Sequence, residues 1–267
     1  MIKSFIKKCG HKILESNPKM KNYVYNVARD FVQGVECPSY ELETNGEQAL
    51  LERLSGKLKG GVIVDVGANQ GRWYRCARRY FPDHQIYCVE IAPMMWPKLE
   101  EATKNDGNAH VIKHGLEKEN GQLTLDFYPG ATEFSNLFGY PHEGKSEKIS
   151  VTLKDAQEFV KENNIETIDL LKMDVEGSEY NILKRLEGML QARSIKVIQF
   201  EYGRVNILNR LFLKDYYELM GKYGYKLGKL VDFTVDFRDY ELWMEDFKGP
   251  NFVAALPEYV AACRGKI

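Results

Sequence analysis

No stretch of this 267-residue sequence approaches the roughly 18 consecutive apolar residues that a membrane-spanning helix needs. Excess charge is missing too: 37 Lys and Arg stand against 38 Asp and Glu, a formal charge of -1. Whole-chain attraction to nucleic acid is therefore not expected, and any basic surface must be local. Cysteine is scarce and odd in number, and Cys9, Cys37, Cys76, Cys88 and Cys263 are scattered with no CxxC spacing. That pattern argues against a zinc site and a disulfide framework, so reduced thiols and a cytoplasmic location are expected. The opening stretch MIKSFIKKCGHKILESNPK is broken by Lys every few residues and lacks a continuous apolar core, so it does not read as a secretory signal.

What is present falls into two parts. Residues 1–44 read as a basic helical arm and linker. The first 30 carry seven Lys and Arg against Glu15 and Asp30, with Ile2, Phe5, Ile6, Ile13 and Leu14 interleaved. Such an arm packs on its own domain or a dimer mate, with contact to an anionic membrane surface as the alternative. Residues 45–267 read as the main domain. Leu50, Leu51, Leu54 and Leu58 fall at helical spacing, Gly60-Gly61 stops that helix, and Val62 to Val66 reads as a buried strand. Strands follow at QIYCVE (85–90), HVIKHGL (110–116), IDLLKMD (168–174) and IKVIQFEY (195–202), with helices between them. This alternation predicts an α/β fold, with a mostly parallel sheet covered by helices on both faces.

QLTLDFY and KISVTLKD read as extra strands between the third and fourth core strands, flanking a polar insertion that is either a lid or a surface excursion. An antiparallel hairpin at the sheet edge and a closing strand at NFVAALPEY would account for the aromatic carboxyl-terminal part. Ligands of such sheets sit outside the carboxyl ends of the strands. Those ends carry Asp65, Glu90, Asp174 and Glu201.

The loop DVGANQG narrows the ligand. A P-loop needs GxxxxGK[ST], but Gly67 and Gly71 are too close and no Lys follows. A dinucleotide fingerprint needs a middle glycine, and Asn69 stands there instead. Asp65 would also repel bound phosphates. S-adenosylmethionine has a cationic methionine end and no phosphate, so Asp65 becomes an attractive partner. Glu90 suits a ribose diol, although nicotinamide enzymes place an acid there as well.

The successive motifs VIVDVGANQG, CVE, IDLLKMDVEGSEYNIL and VIQFEY resemble those of the FkbM family of S-adenosylmethionine-dependent methyltransferases, across roughly residues 45–202. The resemblance implies the class I, Rossmann-like methyltransferase sheet of seven strands in the order 3-2-1-4-5-7-6. It also implies O-methylation of a hydroxyl on a sugar or related natural product. By motif, Asp65, Gly67, Ala68, Asn69, Gln70 and Gly71 would cradle the methionine part. Glu90, followed by Ile91, would hold the ribose, and Gly115 and Leu116 would lie near the adenine. A nicotinamide oxidoreductase and a non-catalytic binding protein of the same fold are the alternatives.

Methyl transfer is an in-line displacement in which a base for the acceptor hydroxyl contributes about 10²- to 10⁴-fold. Asp174 is expected to accept or orient that proton with Glu176 assisting; His114 and His142 are further base candidates. Ser135, Asn136 and His142 are expected to bind the acceptor, and Trp73 and Tyr202 either face a sulfonium or pack in the core. Asp174 and Glu201 end adjacent strands, but two carboxylates alone do not make a metal site, so none is assigned. The expected partner is a small-molecule or glycan acceptor, with the chain a monomer or homodimer.

Overall fold

The computed structural model describes residues 4–5, 8–10, 12, 18–36, 41–130, 132, 135 and 145–265. Two compact units divide at residues 40 and 41. In the first, α1 is a helix over Pro18–Glu36. The second unit begins slightly before the boundary expected at residue 45, because Leu42 and Asn45 are already buried in it.

The second unit runs α2 (Glu47–Ser55), β1 (Val62–Val66), α3 (Arg72–Tyr80), β2 (Gln85–Val89), α4 (Trp96–Thr103), β3 (Ala109–Ile112), β4 (Gly115–Glu117), β5 (Gly121–Phe127) and β6 (Glu147–Asp155). It continues with α5 (Ala156–Glu162), β7 (Ile168–Met173), α6 (Glu179–Arg185), α7 (Glu187–Gln191), β8 (Ile195–Glu201), α8 (Val205–Asn209) and α9 (Leu213–Lys222). The hairpin β9 (Lys226–Val231) and β10 (Thr234–Phe237) then leads to β11 (Asn251–Ala255) and α10 (Pro257–Arg264).

The main sheet has eight strands in the order β3-β2-β1-β7-β8-β11-β9-β10. Strands β3, β2, β1, β7 and β8 are parallel, and β11 is antiparallel to both its neighbours. This is the expected class I methyltransferase order with one further strand, β10, at the edge. As that order requires, the closing strand β11 is internal, inserted between β8 and β9. Its five residues are all buried, and a strand of that kind needs a neighbour on each side.

The segment read as one strand over 110–116 is two. Strand β3 ends at Ile112, and Gly115 starts β4 in a separate three-stranded sheet, β4-β6-β5, built from the two extra strands. Gly115 permits the switch, since a Cβ there would lie 2.7 Å from Ile91 and Leu153.

Alternation along the strands separates two cores. Val64, Val66, Leu171, Met173, Ile198 and Phe200 face one layer, while Ile63, Leu170, Val197 and Val253 face the other. In the second layer, near the carboxyl ends of the strands, Asp65 and Lys172 are register partners on adjacent β1 and β7. Their side chains are 0% and 4% exposed, and Lys172 Nζ lies 3.1 Å from Asp65 Oδ1. The same ammonium sits 5.9 Å from the Trp73 ring centre. Glu47 completes the layer by accepting from Gln199 Nε2 at 2.5 Å and from Asn45 Nδ2 at 2.7 Å. At the opposite end of the sheet Asp169 binds His84 Nε2 at 3.0 Å and Lys196 Nζ at 2.6 Å.

Removing one member of a buried ion pair strands the other charge. Lys172→Met is therefore expected to lower the unfolding free energy by about 3–5 kcal/mol in urea titrations. Adding Asp65→Asn to that variant should restore part of the loss, because no uncompensated charge then remains.

Candidate functional site

One cavity opens at the carboxyl ends of β1, β2 and β7. It is a crevice of about 770 Å³ of empty space, open solvent at its mouth included. The glycine loop (Gly67, Asn69), the segment after β2 (Glu90, Ile91, Ala92) and the segment after β7 (Asp174, Val175, Glu176, Ser178) form its polar wall. Gly115, Leu116, Leu125 and Leu153 of the smaller sheet form its apolar wall, and Thr132 and Ser135 reach it from the polar insertion.

The glycine loop is bonded to the end of β2: Gly67 N–H and Ala68 N–H both donate to Val89 O, at 2.9 and 3.0 Å. Gly67 has φ +82°, and a Cβ on it would lie 1.9 Å from the carbonyl oxygen of Asp174. No other residue fits where these two loops touch. Asn69, the residue in place of the fingerprint's middle glycine, keeps a left-handed φ of 48°. Asn tolerates that region better than most side chains, and here its amide also donates to Thr132 Oγ1 at 3.1 Å. The substitution thus preserves the backbone turn and adds a tether to the insertion.

Glu90 is 5% exposed, and its carboxylate ties two loops together. Oε2 accepts from Asn69 N–H at 2.6 Å and Oε1 from Ala92 N–H at 2.7 Å. Burial nevertheless outweighs these bonds and pushes its carboxyl up to about 7. Glu179 does the same for the segment after β7, accepting from Val175 N–H and Gly177 N–H at 2.9 Å each. Burial raises it to about 7 as well, against those two hydrogen bonds. Asn209 Nδ2 donates to Gly177 O at 2.8 Å. Glu176 thereby stands at φ 54° in a loop braced from both sides. It lies three residues before Glu179, where α6 begins.

Asp174, Glu176 and Glu201 each bring one oxygen within 4.8 Å of the others. Burial, then the charges of Glu176 and Asp174, drives the Glu201 carboxyl well above its ordinary range. Lys172 lies 3.6 Å from Asp174 and is shared with Asp65. A set of three such oxygens could hold a hard cation.

The structure brings Gly67, Asn69, Glu90, Ile91, Gly115, Leu116, Asp174, Glu176 and Ser135 to the cavity. Ala68, Gln70 and Gly71 shape the loop without lining it, Gly71 at φ +78° preceding α3. Asp65 is displaced from its expected role: it points into the layer beneath the loop, where Lys172 already neutralises it. A buried, paired carboxylate offers no counter-charge to a ligand outside its layer. Trp73 takes the Lys172 ammonium rather than a ligand, and Tyr202 packs between Tyr216, Phe247 and Phe252 with its hydroxyl on Glu245. His114 is half-buried, its Nδ1 3.0 Å from Gly115 O and its imidazolium disfavoured by burial, and it does not line the cavity. Asn136 and His142 lie outside the described residues.

Four residues join the site without having been assigned to it from sequence: Lys172, Ser178, Glu179 and Thr132. A lysine near the end of IDLLKM, a buried strand, signalled Lys172, because a lysine there must have a carboxylate partner. Nothing local marks Thr132, which reaches Asn69 across the fold.

A family model described as "Methyltransferase FkbM domain" matches residues 65–227, more than half of the chain. The chain is 27% identical to Methyltransferase 1 of Beauveria bassiana over 144 residues, 47% of this chain and 58% of that protein. It is 25% identical to 2-O-methyltransferase NoeI of Sinorhizobium fredii, covering 58% and 68% of the two chains. It is also 25% identical to hexuronic acid methyltransferase AglP of Haloferax volcanii, covering 66% and 71%. The chain thus spans less than two thirds of the first of these relatives. Sheet order, the placement of the motifs around one cavity and the extent of the family match agree: this chain belongs to the FkbM methyltransferase family.

Proposed function

We propose that the protein is an S-adenosylmethionine-dependent O-methyltransferase whose acceptor is a hydroxyl of a carbohydrate or a glycosylated natural product. The observation that carries this reading is that Asp174 and Glu176, with a Glu201 oxygen within 4.8 Å of theirs, line a cavity whose other polar edge is Glu90 and the glycine loop. A pyrophosphate placed against Asp174 and Glu176 would be repelled, which disfavours a nicotinamide dinucleotide. A cationic, phosphate-free donor is attracted. The counter-charge first sought at Asp65 is thus supplied by the acidic set. The names of NoeI and AglP, a 2-O-methyltransferase and a hexuronic acid methyltransferase, support a sugar acceptor.

The residues present fit such a donor. Gly67 allows close backbone approach, Glu90 retains acceptor capacity for a diol, and Leu116, Leu125 and Leu153 offer an apolar wall to a base. When bound, the donor supplies an already activated methyl group. Asp174, half-exposed at the end of β7, orients the acceptor hydroxyl and receives its proton, with Glu176 beside it. Ser135 and Thr132 bring the insertion to the same cavity, where they contribute to acceptor binding. The buried free thiols Cys76, Cys88 and Cys263 fit a reducing, cytoplasmic setting. No described helix is long and apolar enough to cross a membrane.

Two measurements test this reading. Glu90 accepts ribose hydroxyls only when ionised, and its carboxyl is raised to about 7. Affinity for S-adenosylhomocysteine is therefore complete above that value and declines below it, by about tenfold between roughly pH 8 and pH 6 in calorimetric titrations. Glu90→Gln should bind weakly without that slope. With isotopically labelled donor and a panel of glycans and glycosylated metabolites, mass spectrometry should detect one added methyl. Asp174→Asn should lose about 10²- to 10⁴-fold in that turnover. Binding of NAD in place of S-adenosylhomocysteine would sink the proposal.

A further inference from the structure

We propose that Asp174, Glu176 and Glu201 form a site for a divalent cation of the magnesium or manganese class. The site is built where two parallel strands end side by side: Met173 pairs with Phe200, so the residues that follow, Asp174 and Glu201, emerge as neighbours. Glu176 comes from the loop between β7 and α6, and all three contribute an oxygen within a 4.8 Å span. That spacing suits a hard cation, which draws carboxylates together.

A separate observation points to an occupant. Ser178 is 2% exposed and lines the same cavity, yet its Oγ has no hydrogen-bond partner among the described residues. It precedes α6 without capping it. A buried hydroxyl left unpaired costs free energy, and an ion or its coordinated water in the cavity would satisfy it. The donor set is all oxygen, with no His or Cys, which favours magnesium or manganese over zinc. Lys172 offsets part of the carboxylate charge without being one of the oxygen donors: its ammonium lies 3.1 Å from Asp65 and 3.6 Å from Asp174.

The role of the ion rests on the methyltransferase reading; its binding does not. A hydroxyl coordinated to the ion becomes more acidic and is held in place. Its O–H bond breaks with the proton passing to the Asp174 oxygen that does not hold the ion, the acceptor oxygen forms a bond to the methyl carbon, and the carbon–sulfur electron pair stays on sulfur. A divalent ion against three carboxylates leaves one negative charge, which still favours a cationic donor. The acceptor class that best exploits such a site is a vicinal diol, whose second oxygen chelates the same ion.

Manganese alone, titrated into the full chain and followed by the loss of its free-ion paramagnetic resonance signal, tests the site. One ion per chain is expected, displaced by excess magnesium. Asp174→Asn and Glu201→Gln should each weaken it by at least about tenfold. Circular dichroism and the urea midpoint of the same variants verify folding, and Glu176→Gln, in the loop, replaces any variant that unfolds. Absence of stoichiometric binding, or binding that survives the substitutions in folded protein, overturns the proposal. S-adenosylhomocysteine binding without manganese binding sinks the site and keeps the donor; the reverse keeps the site and sinks the donor.

Discussion

A single buried ammonium organises the ligand end of this fold. Lys172 bridges the two central strands through Asp65, sits over Trp73, and reaches the Gly67 carbonyl at 3.3 Å and Asp174 at 3.6 Å. In a layer where water is excluded, each of these contacts is stronger than at the surface, and losing the ammonium would leave Asp65 with an uncompensated charge. Strand pairing, glycine-loop position and the orientation of Asp174 are therefore held by one group.

That neutralisation decides where the cavity's charge lies. With Asp65 satisfied below the loop, the carboxylates that face the cavity after β7 are Asp174 and Glu176, with Glu201 beside them. Two further buried carboxylates, Glu90 and Glu179, work differently. Each spends both oxygens on backbone N–H groups and braces a loop that would otherwise carry unsatisfied donors. The loops touch at Gly67 and Asp174 so closely that the glycine has no room for a Cβ. Rigid loops of this kind hold a site in place before a ligand arrives.

Much of the architecture was legible along the chain. The βα alternation and the position of DVGANQG predicted the parallel sheet and the place of the crevice, because period-2 and period-3.6 patterns are local properties. The continuous apolar run of strand β11, FVAA, suits its internal position, which the order implied by the family resemblance already gave to the last strand. The split of 110–116 into β3 and β4 was not readable. Which sheet a strand joins depends on partners such as Leu153, far along the chain.

For the site, residue types were readable and directions were not. By itself the sequence determined that the strand ends carry carboxylates, that the loop lacks a phosphate-binding pattern, and that the family motifs are present. Only the tertiary structure decided that Asp65 turns inward to Lys172, that Asn69 reaches Thr132, and that Glu201 joins Asp174 and Glu176. The physical reason is that a carboxylate's chemistry depends on what lies within a few ångströms of it. For Asp65 that neighbour is on another strand, and spacing along the chain does not reveal it.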